Sequence, residues 1–120
     1  MTKTLLVADD AMIIRELIKD AAAEAGWRVL GEAANGRQAY EQYRQLRPDV
    51  VTLDMVMPEF DGLFALKHIL DEDPDARVVV VSALDQKQVL TDAFKLGAAD
   101  FLVKPFQSAS LMETLNKVAR

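Results

Sequence analysis

Cysteine is absent from this 120-residue chain, and histidine and tryptophan each occur only once. Without thiols there can be no disulfide framework, no thiolate nucleophile and no cysteine-based metal site. A single histidine, His68, leaves too few ligands for an ordinary zinc centre. It is predicted to lie on the surface of the third helix, and we assign it no function. The Gly-x-Ser-x-Gly segment of serine hydrolases is also missing.

Long apolar runs are missing as well. No segment is long enough to cross a bilayer, and the apolar run after Met1-Thr2-Lys3 is too short for a signal peptide. We therefore expect a cytoplasmic protein with no membrane insertion. The formal charge of −5 argues against nucleic-acid binding, because phosphate backbones attract basic surfaces. The length predicts a single domain, residues 1–120.

Short apolar runs alternate with stretches of helical spacing, which predicts an α/β fold with a five-stranded parallel sheet flanked by five helices. The predicted strands begin near Thr4, Arg28, Val50, Val78 and Asp100. The fourth strand is apolar throughout, as expected of a central strand covered on both faces. The second strand is more polar and contains glycine, which favours an edge. The order 2-1-3-4-5 places the second strand at an edge and the fourth in the interior, and it is already known for flavodoxin-like sheets.

Helix boundaries are predicted from capping residues. Asn35 with Gln38 and Asp85 with Gln88 resemble capping boxes of the second and fourth helices. The other signals are Asp61 before the third helix, Ser110 with Glu113 or alternatively Ser108 at the last, and Gly26 and Gly97 as helix ends. In the first helix, one apolar stripe is predicted to contain Ile13, Ile14, Leu17, Ile18, Ala21 and Ala25.

Ionisable residues stand where three of the strands end. Asp9 and Asp10 follow the first strand, Asp54 ends the third and Lys104 ends the fifth. Because carboxyl ends of parallel strands share one edge, these side chains are expected to meet there. Crowded carboxylates repel one another, and a divalent cation relieves the repulsion.

Mg²⁺ prefers oxygen ligands in an octahedron, with Mn²⁺ as an alternative ion. We predict Asp10, Asp54 and the backbone carbonyl of Val56 as direct ligands, with Asp9 acting partly through water. A plain helix N-cap is the alternative reading of Asp10.

Asp54 is also the candidate nucleophile, because a carboxylate can attack a phosphoryl group and form an acyl phosphate. Lys104 would supply a fixed cation for a phosphoryl oxygen, and the hydroxyl of Ser82 could donate to the same group. The alternatives are an ordinary turn aspartate, a lysine that reaches solvent and a serine that merely ends a strand.

Together the motifs resemble the response-regulator receiver domains of two-component signalling, and among them the stand-alone chemotaxis regulators of the CheY type. The matching segments are Val7-Ala8-Asp9-Asp10, Leu53-Asp54-Met55-Val56-Met57-Pro58, Asp61-Gly62, Val81-Ser82-Ala83, Gly97-Ala98 and Lys104-Pro105-Phe106. They span nearly the whole chain in the right order.

The resemblance implies that Asp54 accepts phosphate from a histidine kinase or from a small donor such as acetyl phosphate. It implies that Asp9 and Asp10 organise Mg²⁺, and that Lys104 and Ser82 contact the phosphoryl group with help from the Ala83 amide. It also suggests a cis peptide bond before Pro105. The domain would be a phosphoacceptor with self-phosphorylation and autodephosphorylation chemistry, not an enzyme acting on other substrates.

By the same resemblance, Ser82 moves toward the phosphate and Phe101 turns inward behind it. The signalling surface would be the fourth helix, fifth strand and fifth helix, with Gln88, Lys95, Phe101 and Met112 as candidate contacts. A downstream target or a second copy of the domain would dock there. Val56 and Leu84 are apolar where polar side chains are common in the family, which predicts slow autodephosphorylation.

Four alternatives remain. A haloacid-dehalogenase phosphatase needs an acid two residues after the nucleophile, where Val56 stands. A flavin carrier needs a phosphate loop after the first strand, where Asp9 and Asp10 would repel phosphate. A pseudo-receiver would lack the acid, lysine and hydroxyl set. Finally, the chain could be a receiver cut from a longer regulator with an output domain.

Overall fold

The structure, a computed structural model, describes residues 2–83 and 85–119, so Met1, Leu84 and Arg120 lie outside the described residues. Strands and helices alternate along the chain, as predicted. In chain order they are β1 (Thr4–Ala8), α1 (Met12–Glu24), β2 (Arg28–Ala33), α2 (Gly36–Leu46), β3 (Val50–Asp54), α3 (Gly62–Glu72), β4 (Val78–Ala83), α4 (Lys87–Leu96), β5 (Asp100–Lys104) and α5 (Ser108–Val118).

The sheet has five strands in the order β2-β1-β3-β4-β5, and every neighbouring pair is parallel. The predicted order, the edge position of β2 and the interior position of β4 are confirmed. β1 and β3 are adjacent, with Ala8 opposite Leu53, so the residues that follow β1 lie beside the end of β3. This switch point in the strand order is where ligands bind in open α/β sheets.

The helices form two layers that cover the sheet. One core cluster joins buried residues of α2, α3 and α4 to one face of the sheet, including Tyr43, Leu66 and Ala93. The other joins α1 and α5 to the opposite face, including Ile18 and Leu111. The interior strands are therefore covered on both faces, and all residues of β3 and β4 except Ala83 are buried.

Most of the predicted helix ends are confirmed. The Asn35 side chain accepts from the Gln38 amide at 2.9 Å, and the Gln38 side chain reaches back to the Ala34 amide at 2.8 Å. Asp61 caps α3 by accepting from the Phe64 amide at 3.0 Å. Gly26 and Gly97 follow α1 and α4 with φ of 86° and 118°, which favours glycine.

The predicted start of α4 is wrong. Asp85 does not cap the helix; Gln86 occupies the cap position, and its side chain makes no capping bond. The helical hydrogen bonds begin at the Gln86 carbonyl, which accepts from the Leu90 amide at 3.2 Å, and Gln86 Oε1 accepts from the backbone amide at the end of β4. α5 begins at Ser108, as the alternative prediction had it, rather than at Ser110.

The predicted apolar stripe of α1 is too wide. Ile18 and Ala21 are buried, but Ile13 is 71% exposed and Leu17 is 57% exposed. One helix covers the sheet with only part of its circumference, and a neighbouring residue is rotated by about 100°. Ile13 and Leu17 therefore lie beside the buried face and not on it.

Within the described part of the chain, none of the helices combines the length and the apolarity that crossing a bilayer would require.

Candidate functional site

Three aspartates converge at the carboxyl edge of the sheet. Carboxylate oxygens of Asp9, Asp10 and Asp54 all lie within 4.8 Å of one another. Asp9 and Asp54 are buried, whereas Asp10 is exposed at the rim. The convergence predicted from the strand ends is confirmed. It follows from the parallel pairing of β1 with β3, which brings the two strand ends side by side.

The turn after β1 is fixed by its own hydrogen bonds. The Asp9 amide donates to the carbonyl of Ala33 at 3.0 Å, which ties it to the end of β2. Asp9 Oδ1 accepts from the Ala11 amide at 2.9 Å. Asp10 does not cap α1, since Ala11 is the cap residue and α1 has no side-chain cap. The alternative interpretation of Asp10 as the N-cap of α1 is therefore wrong.

Lys104 reaches into this cluster from the end of β5. Its Nζ lies 2.8 Å from Asp9 Oδ2 and 3.4 Å from Asp54 Oδ2. At this distance the Lys104 ammonium is the partner of the buried Asp9 Oδ2, which has no further side-chain or backbone donor among residues 2–83 and 85–119. The charge of Lys104 therefore offsets part of the cost of burying this carboxylate oxygen. The predicted cis peptide bond between Lys104 and Pro105 is present.

The charges shift the proton equilibria of the site. Burial raises the pKa of Asp54 to about 6, and the negative charge of Asp9 acts in the same direction. Burial alone would lower the pKa of Lys104, but the Asp9 and Asp54 carboxylates outweigh it and raise this pKa. Lys104 is therefore firmly cationic. The excess negative charge around Asp54 is what a divalent cation would neutralise.

A cation fits this set of donors. The three carboxylates stand at the ends of the adjacent strands β1 and β3 and are within reach of one ion. The single charge of Lys104, which contacts Asp9 and Asp54, does not balance three carboxylates. Hard oxygen ligands with an exposed rim suit Mg²⁺, which keeps several of its waters. The assignment of Asp9, Asp10, Asp54 and the Val56 carbonyl as its ligands stays a prediction.

The end of β4 contributes Ser82 and Ala83. Ser82 is fully buried, and its hydroxyl makes a long contact of 3.4 Å with the carbonyl of Ala83. The Ala83 amide donates to Gln86 Oε1 at 2.9 Å. The amide predicted to contact a phosphoryl group is therefore occupied by a side chain of this chain.

The loop between β3 and α3 is shaped by Gly62. A β-carbon there would overlap the carbonyl oxygen of Asp54 and lie 2.6 Å from the α-carbon of Met55. The Gly62 amide also donates to the Met55 carbonyl at 3.1 Å. The start of α3 thus packs directly on the backbone of the candidate nucleophile. Val56, two residues after Asp54, is 52% exposed, and its amide points to Asp54 Oδ1 at 3.3 Å.

Phe101 lies outside the site in this structure. It is 42% exposed and packs edge to face on Phe94 of α4, with ring centroids 5.7 Å apart and an interplanar angle of 85°. The other candidate surface residues are Gln88 and Lys95, which are exposed, and Met112, which is partly buried. The inward position predicted for Phe101 would belong to another state of the domain.

Two residues near the site were not predicted from the sequence. Arg15 donates from Nη1 to the backbone carbonyl of Asp9 at 2.7 Å, and Gln86 binds the Ala83 amide. Both partners are main-chain atoms, which carry no side-chain signature in a sequence. Helical spacing places Arg15 near the start of α1, but it does not reveal this contact.

The sheet order, the aspartate cluster at its carboxyl edge and the lysine at the end of β5 define a class of signalling domain. The sequence profile of the response regulator receiver domain matches residues 5–116, and the chain belongs to this family.

Among its relatives, the chemotaxis protein CheY of Thermotoga maritima is 48% identical over 120 residues, which is 100% of both chains. The protein-glutamate methylesterase/protein-glutamine glutaminase of Archaeoglobus fulgidus is 44% identical over 103 residues, covering 84% of this chain but 29% of the relative. The CheX-CheY-BeF3-Mg²⁺ complex of Borrelia burgdorferi contains a chain with a TM-score of 0.92 and 31% identity. That match covers 97% of this chain and 88% of the other.

Proposed function

We propose that this chain is a phosphoacceptor switch in which Asp54 takes a phosphoryl group from a histidine kinase in the presence of Mg²⁺. The observation that carries the proposal is the convergence of Asp9, Asp10 and Asp54 within 4.8 Å, with Lys104 2.8 Å from Asp9 and 3.4 Å from Asp54. This set provides a nucleophile, oxygen ligands and a fixed cation at one place. The domain comprises residues 1–120.

The chemistry is a displacement at phosphorus. A carboxylate oxygen of Asp54 forms the new P–O bond, and the P–N bond of a phosphohistidine breaks. The imidazole leaves with the bonding electron pair and takes a proton from solvent; with acetyl phosphate a P–O bond breaks and acetate leaves. Bound Mg²⁺ would neutralise charge on the transferred group.

The protein residues would orient and stabilise that group. Asp9, Asp10 and the Val56 carbonyl would hold the ion, and Lys104 would pair with a phosphoryl oxygen. Ser82 and the Ala83 amide would donate to the remaining oxygens after local rearrangement, since both now make other contacts. Partial burial keeps these interactions strong, because water screens them less than at the surface.

The signal would leave through α4, β5 and α5, which we call the output face. Phosphorylation adds charge and acceptor oxygens, and it acts by favouring one of two arrangements of an element. Phe101 would be this element, moving from its exposed position on Phe94 to an inward one. The output face would then bind a downstream target or a second copy of the domain.

Control of chemotaxis is the proposed pathway, because the CheY relative from Thermotoga maritima is matched over the full length of both chains. The Borrelia burgdorferi complex pairs a similar chain with CheX and with BeF3 and Mg²⁺, which supports a partner protein and a magnesium site here. A receiver joined to an output domain is the second candidate, since the methylesterase relative is matched over only 29% of its length. The cytoplasmic location and Mn²⁺ as a substitute ion stay predictions.

The test is incubation with acetyl phosphate and Mg²⁺, followed by measurement of intact mass. We expect one phosphoryl adduct on the wild-type protein and none on Asp54→Ala. An exposed aspartate of α3, Asp71, supplies a matched control, and Asp71→Ala should be labelled like the wild type. An adduct on Asp54→Ala, or its absence from the wild type, would contradict the proposal.

A further inference from the structure

Arg15 makes two directed contacts at the edge of the aspartate cluster. Its Nη1 donates to the backbone carbonyl of Asp9 at 2.7 Å, and its Nε pairs with Glu32 Oε1 on β2 at 2.9 Å. Its side chain is only 16% exposed. The planar guanidinium carries several donors in a rigid arrangement, so one group can bridge two elements. Arg15 thereby connects α1, the turn after β1 and the edge strand.

Glu32 is itself held from the other side. Lys19, one turn further along α1, contacts Glu32 Oε2 at 2.6 Å. Hydrogen bonds from Lys19 and Arg15 lower the pKa of Glu32, so this carboxylate is ionised at neutral pH. The position of the guanidinium is therefore fixed by a charged partner and does not depend on the contact with Asp9 alone.

The carbonyl of Asp9 belongs to the peptide plane that joins Asp9 to Asp10. Fixing this oxygen fixes the orientation of the plane and with it the start of the Asp10 side chain. The amide of Asp9 is bound separately to Ala33. Asp10 is exposed, and no side-chain hydrogen bond of Asp10 is present among residues 2–83 and 85–119. Its direction therefore depends on the backbone that Arg15 holds.

We propose that Arg15 is a positioning residue for the cation site: its bond to the Asp9 carbonyl holds the turn so that Asp9 and Asp10 converge with Asp54. The inference rests on the proposed Mg²⁺ site. It predicts a change in Mg²⁺ affinity that is opposite in sign to the change expected from charge alone. By charge alone, a cationic side chain next to a metal site weakens cation binding, so its removal should strengthen binding. By positioning, its removal should weaken binding.

The experiment measures the Mg²⁺ dissociation constant by calorimetric titration at fixed ionic strength. Arg15→Gln removes the charge and the bridging geometry, and Arg15→Lys keeps the charge but loses the bridge. We expect both variants to bind Mg²⁺ about tenfold more weakly, the usual effect of losing a group that orients metal ligands. The control is Arg37→Gln, which breaks an exposed ion pair with Glu41 on α2 and should leave the constant unchanged.

A second readout uses the metal-free protein. The backbone amide resonances of Asp10 and Ala11 should shift in Arg15→Gln and Arg15→Lys and stay in place in Arg37→Gln. Binding as tight as the wild type in either Arg15 variant, or tighter binding in Arg15→Gln, would overturn the inference. So would loss of the fold in both Arg15 variants, because a positioning role leaves the chain folded. Failure of the wild type to bind Mg²⁺ would instead refute the proposed function.

Discussion

The backbone amide of Ala83 donates a hydrogen bond to Oε1 of Gln86 at a distance of 2.9 Å. Gln86 stands at the cap position of α4 and makes no capping bond with its side chain. The same amide is proposed to donate to a phosphoryl oxygen when Asp54 is modified. The side chain and the phosphoryl group would therefore compete for one donor, and displacement of Gln86 would transmit the event to the first turn of α4.

Replacement of Gln86 by alanine should favour phosphorylation. The variant removes the competing acceptor without removing a helix cap, and a hydrogen bond is worth about 1 kcal/mol, so the rate with acetyl phosphate should rise by up to about fivefold. Intact mass against time measures it. Gln88→Ala, which removes an exposed glutamine of the same helix, should match the wild type. A slower or unchanged Gln86→Ala would contradict the competition.

The raised pKa of Asp54 predicts a particular dependence of stability on pH. This pKa is about 6 in the folded protein against an ordinary value of 3.8. Between these values the folded state holds a proton that the unfolded state has released, so stability falls as the pH rises toward 6. In EDTA, Asp54→Asn should be more stable than the wild type at pH 7 by about 1 to 2 kcal/mol, after allowance for solvent screening.

The stability gain should vanish below about pH 4, where Asp54 is protonated in both states. Urea unfolding at several pH values gives the comparison. Asp71→Asn, on an exposed turn of α3, should follow the wild-type curve. A constant stability difference between Asp54→Asn and the wild type over the whole pH range would show that the burial of this carboxylate is not its cause.

Gly62→Ala should disturb both the fold and the metal site. The new β-carbon would overlap backbone atoms of Asp54 and Met55, which cannot move away as a flexible side chain could. We expect a loss of roughly 1–3 kcal/mol in the free energy of unfolding, as in overpacked cores, together with weaker Mg²⁺ binding.

Gly26→Ala is the control for Gly62→Ala, because it introduces backbone strain without a contact near Asp54. Gly26 has a φ of 86°, but a β-carbon there would meet nothing within 4 Å. The free energy of unfolding of Gly26→Ala should fall by about 1 kcal/mol, because alanine is unfavourable in the left-handed conformation. Its Mg²⁺ binding should stay unchanged. Equal effects of the two variants on Mg²⁺ binding would show that the contact with Asp54 is unimportant.

Strand positions and strand-end chemistry were predictable because they depend on local pattern. The apolar runs set all five strand starts, and parallel pairing then brings Asp9, Asp54 and Lys104 to one edge. The start of α4 was not predictable from the capping signal at Asp85, because the helix begins after Gln86, whose side chain binds a backbone amide at the end of β4. Sequence spacing does not reveal a contact between a side chain and a backbone amide.

The exposed side of α1 shows a second limit of prediction from the sequence. Ile13 and Leu17 fit an apolar helical stripe as well as Ile18 does, but the width of the buried face depends on how α1 and α5 pack on the sheet. Likewise, the role inferred for Arg15 depends on a carbonyl that becomes available only when the turn after β1 has formed. The width of the buried face of α1 and the contact of Arg15 both depend on tertiary geometry.

Phe94→Ala should shift Phe101 toward its inward position. The edge-to-face contact stabilises the exposed position by roughly 0.5–1.5 kcal/mol. If phosphorylation favours the inward position, as the proposed function requires, loss of this contact should increase the phosphorylated fraction at limiting acetyl phosphate. Fluorine NMR of fluorophenylalanine-labelled protein would report the position of Phe101. Leu96→Ala, which truncates another exposed residue of α4, is the control, and an equal gain in both variants would contradict a specific role of Phe94.

The lifetime of the phosphorylated state should depend on Val56. This side chain is 52% exposed and stands two residues after Asp54, where an apolar group cannot orient a hydrolytic water. We expect the wild-type acyl phosphate to last many minutes. Val56→Asn should shorten its half-life by about tenfold, since one hydrogen bond to the attacking water is worth about 1.4 kcal/mol. Leu84, the second apolar residue of this prediction, lies outside the described residues.

Decay of radiolabelled protein after removal of the phosphodonor measures this half-life. Leu17→Asn places the same polar group on an exposed apolar position of α1 and should leave the decay unchanged. Loss of label from the wild type within seconds and without a phosphatase would refute the slow-decay prediction. Equal decay of Val56→Asn and the wild type would instead show that water reaches the phosphoryl group by a path that this side chain does not control.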